Sequence, residues 1–223
     1  MSSVTLDNVT LIGVDCIDIP RIQKALDIST VSVDFGDIKL LSHIVNDDPR
    51  WVEIPQIGSI EEYSRFCIQN LSDYVDTDFA LVVQYDGCLL NPSAWDSRFL
   101  DYDYIGAPIF VESAELFAMM GVDSVGHNHI VGNGGFSLRS KKLLDLTQTL
   151  SRDGTMPHYH PEDVVMSGWY KKILEGYGVE FAPLELAKKF SKECGVYTDQ
   201  FGFHDLKQTD ISSWTEKNPH YGL

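Results

Sequence analysis

The run Phe79-Ala80-Leu81-Val82-Val83-Gln84 is the most apolar strand-like stretch of the chain, and it constrains the fold more than any other segment. A short apolar run rich in β-branched residues reads as a strand buried inside a sheet, with helices covering both faces. The segments before it supply those partners. Val9-Thr10-Leu11-Ile12-Gly13-Val14 is a second buried strand, ending at Asp15-Cys16-Ile17-Asp18. Ile19 to Ser29 then carries Ile22, Ala25, Leu26 and Ile28 at helical spacing. Val31-Ser32-Val33 and Ile38 to Ser42 read as a further strand region bent at Phe35-Gly36, and Trp51-Val52-Glu53-Ile54 as a strand cut by Pro55. Ser59-Ile60-Glu61-Glu62 has the form of a capping box, opening a helix to about Tyr74. Such strand–helix alternation predicts an α/β fold with a mostly parallel central sheet flanked by helices.

The 223 residues suffice for one domain with a sizeable core, and 43% hydrophobic and 11% aromatic content mark it as globular. No linker composition divides the chain. The net charge of −16 speaks against nucleic acid or an anionic membrane surface as partner, because Lys and Arg must neutralise phosphates there. No apolar stretch approaches the roughly 20 residues of a membrane span, and Met1 to Thr5 lacks the basic start of a signal peptide. Cys16, Cys67, Cys88 and Cys194 are far apart without CxxC spacing. They read as reduced, mostly buried thiols, which fits a cytoplasmic location.

In the second half, Asn91 to Asp96 is a turn into a short helix. Tyr102 to Pro108 is aromatic-rich, suited either to stacking on a sugar or base or to packing with a polar tip. Residues 111–130, with weak periodicity, read as a loop over the site; His127 and His129 within it read as exposed loop residues rather than a metal pair. Lys141 to Leu150 is helical. A helix from Asp163 to Glu175 should turn Val164, Val165, Trp169 and Ile173 inward. Gly178 to Pro183 reads as an edge strand and Leu184 to Phe190 as a short helix, before a tail Phe201-Gly202-Phe203-His204-Asp205.

Two stretches stand out chemically. Val131-Gly132-Asn133-Gly134-Gly135-Phe136 places three glycines among four residues, which lets backbone approach a ligand closely and reach φ > 0. His160-Pro161-Glu162-Asp163-Val164 sets two acids at a Pro-initiated helix start. A backbone cradle beside a carboxylate suits sugar transfer, with the acid as base for the incoming hydroxyl. The bland alternative for the glycines is a tight turn. Open α/β sheets bind ligands at the carboxyl ends of their strands, where Asp15 and Asp86 fall, although each is also an ordinary turn residue.

Seven pieces taken in order form a known pattern: Val9 to Asp15, Tyr63-Ser64-Arg65-Phe66, Gln84-Tyr85-Asp86-Gly87, Tyr102 to Pro108, Gly132 to Ser140, Pro161-Glu162-Asp163 and Phe201 to His204. With these the chain resembles a bacterial domain-of-unknown-function family described as glycosyltransferases, similar in fold to the A-type (GT-A) nucleotide-sugar enzymes. The resemblance implies one Rossmann-like GT-A domain, with a nucleotide-binding part at about 1–110 and a sugar and acceptor part at about 111–223. It implies a nucleotide-sugar donor, a glycan acceptor, a role in polysaccharide biosynthesis and a Mn²⁺ or Mg²⁺ ion. Where such enzymes place Asp-x-Asp, this chain has Gln84-Tyr85-Asp86, so Asp86 alone supplies a motif carboxylate; Gln84 would bond ribose or the ion. His204 matches a C-terminal metal ligand. Asp15 looks like a contact for base or ribose, and Arg65 for the diphosphate. Gly132, Asn133, Gly134 and Gly135 would line the donor sugar. Asp163, with Glu162 beside it, resembles the base of inverting enzymes. A nucleotidyltransferase and a non-catalytic nucleotide- or carbohydrate-binding domain are the competing readings; the first usually wants a basic glycine-rich loop that Asp15 to Asp18 does not provide.

Overall fold

The computed structural model describes residues 4–110, 129–193 and 197–205. Its strands are β1 (Val4–Val14), β2 (Val33–Ser42), β3 (Trp51–Glu53), β4 (Phe79–Val83), β5 (Cys88–Leu89), β6 (Tyr104–Gly106), β7 (Pro108–Phe110), β8 (His129–Val131), β9 (Phe136–Ser140), β10 (Ser191–Glu193) and β11 (Gly202–His204). The helices are α1 (Ile19–Thr30), α2 (Ile60–Gln69), α3 (Lys141–Arg152), α4 (Glu162–Val164), α5 (Lys171–Gly176) and α6 (Leu184–Phe190). The central sheet has six strands in the order β3-β2-β1-β4-β9-β6. β1 to β4 run parallel, while β9 runs against both β4 and β6. The chain therefore steps outward from β1 to β3, then returns to place β4 on β1's other side. That reversal opens a crevice at the carboxyl ends of β1 and β4.

The antiparallel β9 brings a later turn to the same edge. Val83 at the end of β4 pairs with Phe136 at the start of β9. The ladder continues one step further, Gln84 N–H donating to Gly135 O at 2.9 Å. Residues that follow β4 and residues that precede β9 thus share one rim.

β1 begins at Val4, earlier than its apolar run, and its pairing with β2 shifts register between Leu6 and Thr10. The irregularity predicted at Phe35-Gly36 lies in β1 instead, and β2 runs through it. Gly36 accommodates the shift, since a Cβ there would stand 2.0 Å from the Asp7 carbonyl oxygen. At the start of α2, Ser59 Oγ accepts the Glu62 N–H at 3.2 Å, half of a capping box; the Glu62 carboxylate reaches past Ser59 to the Gly58 N–H at 2.6 Å. Ser140 likewise caps α3 through the Leu143 N–H at 3.0 Å. Beneath the sheet, Phe99, Phe136, Phe190 and Phe201 are fully buried, with ring centres 5.1 to 6.0 Å apart. Each such side chain removed from water contributes about 1.5–3 kcal/mol.

The helix predicted from Asp163 to Glu175 is broken. After α4 comes a π turn, Val165–Trp169, closed by Tyr170 N–H to Val165 O at 3.0 Å. The extra residue rotates everything beyond it by about one helical step. Val164 and Val165 face inward as expected, but Trp169 and Ile173 are 36% and 40% exposed, and Met166 and Leu174 are buried instead. Gly178 to Pro183 lies along β6, with Asp103 N–H to Glu180 O at 2.8 Å, but forms only an isolated bridge between Tyr104 and Phe181. Of the cysteines, Cys67 and Cys88 are buried and Cys16 partly exposed, all reduced; Cys194 and His127 lie outside the described residues, as does most of the 111–130 loop. Among the described residues no helix is long and apolar enough to cross a membrane.

Candidate active site

The crevice at the strand tips holds a cleft of about 320 Å³. Its walls combine Asp15 and Arg21 from the β1 end, Gln84 and Tyr85 from the β4 end, and Ser59 and Tyr63 from α2. Asp15 is 6% exposed. Its Oδ1 accepts the N–H groups of Ile17 at 2.8 Å and Asp18 at 3.0 Å, and Arg21 closes on it with Nε at 2.5 Å and Nη2 at 3.1 Å. The Arg21 guanidinium lies 4.1 Å from the centre of the Tyr85 ring, within cation–π range. Arg65, by contrast, is exposed on α2, with its guanidinium 5.3 Å from the Tyr159 ring and away from the cleft lining.

Across Gln84 lies the second part of the site. Gln84 Nε2 donates to the Tyr63 hydroxyl at 3.2 Å, and its Oε1 is 3.1 Å from His204 Nε2. Asp86 Oδ1 is 3.5 Å from that same Nε2, while Glu193 Oε1 is 3.7 Å from Nδ1. Burial pulls the His204 imidazole down; the carboxylates of Asp86 and Glu193 that face it outweigh this and push its pKa up to about 9. Asp86 Oδ1 and His204 Nδ1 are buried without a hydrogen-bond partner. Among the described residues no three His, Cys, Asp or Glu side chains converge with metal-ligand spacing. The set here is mixed, Gln84, Asp86 and His204, and its 3.1 and 3.5 Å separations suit neighbouring corners of an octahedral ion, about 3 Å apart at Mg²⁺-like bond lengths. The Asp86 carboxylate and Gln84 amide oxygens are hard donors that fit such an ion, and the His204 imidazole joins them only on giving up the proton that its carboxylate neighbours favour. Beyond Glu193, a hollow of about 340 Å³ is lined by Phe110, Lys188, Ser191 and Lys192.

The glycine turn joins this part to the acid pair. Gly135 has no room for a side chain because a Cβ would lie 2.0 Å from His204 Nε2. On the opposite side, a Cβ on Gly134 would lie 2.6 Å from Glu162 Oε1, and one on Gly132 2.1 Å from Ser167 Oγ. These glycines are needed for close approach to the protein's own side chains. The expected φ > 0 is not found in the turn; among the described residues the left-handed glycines are Gly154 and Gly178. Asn133 is buried, its Oδ1 accepting the Gly135 N–H at 3.0 Å and bracing the turn from within.

The two acids divide. Glu162 is 5% exposed and faces Arg139 Nη2 at 3.2 Å, with Ser64 Oγ donating to its other oxygen at 3.3 Å. Arg139, on β9, is fully buried, and its Nε also donates to Ser137 Oγ at 3.0 Å. Asp163 Oδ2 accepts the Gly134 N–H at 3.2 Å, and Oδ1 the Val164 N–H at 2.7 Å. Burial first, then the charge of Glu162, push the Asp163 carboxyl up to about 7 despite those two N–H groups. Tyr104 settles the aromatic stretch as packing: it is buried, and its hydroxyl donates to Gly132 O at 2.8 Å.

Asp86, Asn133, Asp163 and His204 are thus gathered around one turn, with Gln84 bridging to the cleft. The motif reading points to neither Arg21 nor Glu193, and it assigns no role to Tyr63 and Arg139, although both fall within the quoted motif pieces. A basic residue in the first turn after β1 was a signal for Arg21; a lone arginine inside an apolar strand, Phe136-Ser137-Leu138-Arg139-Ser140, was one for Arg139.

No curated protein sequence matches the chain. An active-site mutant of LgtC superposes with a TM-score of 0.55 over 96% of this chain and 95% of that one, at 11% identity. The galactosyltransferase LgtC in complex with donor and acceptor sugar analogs gives 0.53 over 95% and 94%, at 13% identity. A glycosyltransferase involved in glycosylation of the major capsid of PBCV-1 gives 0.49 over 94% and 98%, at 12% identity. The LgtC likeness shows the fold, a six-stranded GT-A arrangement. The family model described as "Protein of unknown function (DUF5672)" matches residues 50–204, from the approach to β3 through His204; the chain belongs to that family, and its fold is that of the GT-A glycosyltransferases.

Proposed function

We propose that the protein is an inverting glycosyltransferase that moves a sugar from a nucleotide-sugar donor to a hydroxyl of a glycan acceptor. One observation carries the reading. A single glycine turn holds the Asp163 carboxylate on its Gly134 N–H and packs its Gly135 against His204, so a base and a cluster of metal-type ligands meet across it.

The nucleoside half of the donor occupies the cleft beside Asp15 and Tyr85, with the diphosphate directed toward Asp86 and His204. Residues 1–110 supply most of this half, and later residues the sugar and acceptor side. Asp163, ionised, takes the proton of the acceptor hydroxyl. The acceptor oxygen forms its bond to the anomeric carbon as the bond from that carbon to the diphosphate oxygen breaks, and the nucleoside diphosphate leaves with the electron pair. Gln84, Asp86 and His204 would hold Mn²⁺ or Mg²⁺, which supplies electrostatic stabilisation of the departing diphosphate. Glu193 faces the Nδ1 side of the His204 ring at 3.7 Å and acts on it through charge. Glu162 stays paired with Arg139, next to Asp163 in the chain.

Incubation of the purified protein with a panel of nucleotide sugars and Mn²⁺ tests the reading. Release of nucleoside diphosphate, abolished in Asp163→Asn, supports it. Tight nucleotide binding with no turnover of any donor, with or without glycan acceptors, would favour a binding domain instead.

A further inference from the structure

The hollow of about 340 Å³ beyond Glu193 borders the site through two of its wall residues. Glu193 faces His204 Nδ1 at 3.7 Å. Pro108 pairs with Val131, the residue that leads into the glycine turn. We infer that this hollow receives the acceptor, and that the acceptor sugar it selects carries a negative charge, a carboxylate or a phosphate, over its neutral counterpart. The inference rests on the glycosyltransferase reading and adds the class of acceptor to it.

The volume lies within the range of ligand pockets, about 300–1,000 Å³. Phe110, 57% exposed, offers the hollow an apolar ring face that the C–H groups of a pyranose can cover. Lys192 has no carboxylate within ion-pair distance among the described residues. Lys188 holds Glu185 at 2.8 Å, but both side chains are exposed; such a pair contributes little, so the ammonium is free to turn to a ligand. Ser191 lies just beneath the surface of the hollow, its Oγ buried without a hydrogen-bond partner. That hydroxyl is a donor left over, and a ligand oxygen would relieve the cost of leaving it unpaired. A sugar hydroxyl can accept from the same three groups. Only an anion adds the Coulomb attraction of the two ammonium groups. Among the described residues Glu193 is the one carboxylate in the wall, and it is turned to the His204 ring. The net charge of −16 works against anions over the molecule as a whole, so an anionic acceptor needs local cations of this kind.

Saturation-transfer NMR titrations of the full chain with methyl glucoside, methyl glucuronide and methyl glucoside 6-phosphate test this. They are run without divalent ions, which keeps the phosphate from a metal held at Asp86 and His204. Wild type should bind at least one charged glycoside about 3- to 10-fold tighter than the neutral one, between the worth of a screened ion pair and that of a charged hydrogen bond. The tighter of the two charged probes tells carboxylate from phosphate. Lys192→Gln should bring the ratio close to one and Lys192→Glu should invert it, with methyl glucoside affinity unchanged in both. Lys192 is partly exposed, so neither variant should alter the melting temperature. Phe110→Ala should weaken all the probes by a similar factor. Equal affinity of wild type for neutral and charged probes, no binding of any probe, a preference that survives both lysine variants, or an equal loss for every probe in them would overturn the inference and leave the enzyme assignment standing. Absence of nucleoside diphosphate binding to wild type with Mn²⁺ would instead remove the glycosyltransferase reading itself.

Discussion

Glu162 Oε1 lies 3.2 Å from Arg139 Nη2, both groups buried, while the neighbouring Asp163 turns to the Gly134 N–H at 3.2 Å. Adjacent residues at a helix start point about 100° apart, so one acid enters the core and the other meets the glycine turn. Only the second is placed to accept a proton from a substrate. The first holds a buried cation, and its charge helps to raise the pKa of the second.

Asp163→Asn should lower turnover by about 10²- to 10⁴-fold, the usual contribution of a general base, with nucleotide affinity little changed. In wild type, kcat/KM should rise with pH through about 7, the Asp163 value, and level above it. A profile flat from pH 5 to 9 would remove Asp163 from the role.

The same shift has a stability consequence of opposite sense. An acid whose folded pKa is raised favours folding in its protonated form, and that contribution fades as pH climbs from the ordinary carboxylate range to about 7. Asp163→Asn should therefore melt higher than wild type at pH 8, with the difference vanishing below about pH 4. Thermal melts at the two pH values decide it.

Glu162→Ala should destabilise the fold by about 3–5 kcal/mol, because it leaves Arg139 charged and buried without its partner. Urea denaturation measures this. A loss under 1 kcal/mol would show that water reaches Arg139.

Gly135→Ala tests the seam between turn and histidine. The added Cβ would lie 2.0 Å from His204 Nε2 and 2.2 Å from Cδ2, and the ring is too enclosed to step aside freely. The fold should survive, by circular dichroism, while Mn²⁺ affinity measured by electron paramagnetic resonance falls by about 10- to 100-fold, as for a disturbed ligand shell.

Asp86→Asn and His204→Ala should each weaken Mn²⁺ binding by at least that much, and Glu193→Gln by a similar factor through loss of the carboxylate facing Nδ1. Affinity equal to wild type in all of them would place any ion elsewhere.

The strand–helix alternation was readable because β-branched apolar runs and helical spacing are local signals, and α6 falls at Leu184–Phe190 as the spacing predicts. The π turn was not, since one inserted residue leaves the composition of Asp163 to Glu175 unchanged yet rotates Trp169 and Ile173 outward. Asp86, His204 and the glycine turn could be named from the chain, but their meeting depends on β9 running against β4, which no local pattern encodes. Arg139 escaped for a related reason, since its partner Glu162 lies 23 residues on; Arg21 sits six residues from Asp15, but its stacking on Tyr85 depends on β1 and β4 lying side by side.

The bond from Gln84 N–H to Gly135 O, one rung past the end of the β4–β9 ladder, welds the donor-side tip and the glycine turn into a single stiff unit. Asp163, held on Gly134, and the Asp86–His204 pair beside Gly135 are thereby kept at a fixed spacing. Any closing motion has to come from segments that border this unit, and the Gln84 amide should exchange with deuterium about as slowly as the middle of the sheet.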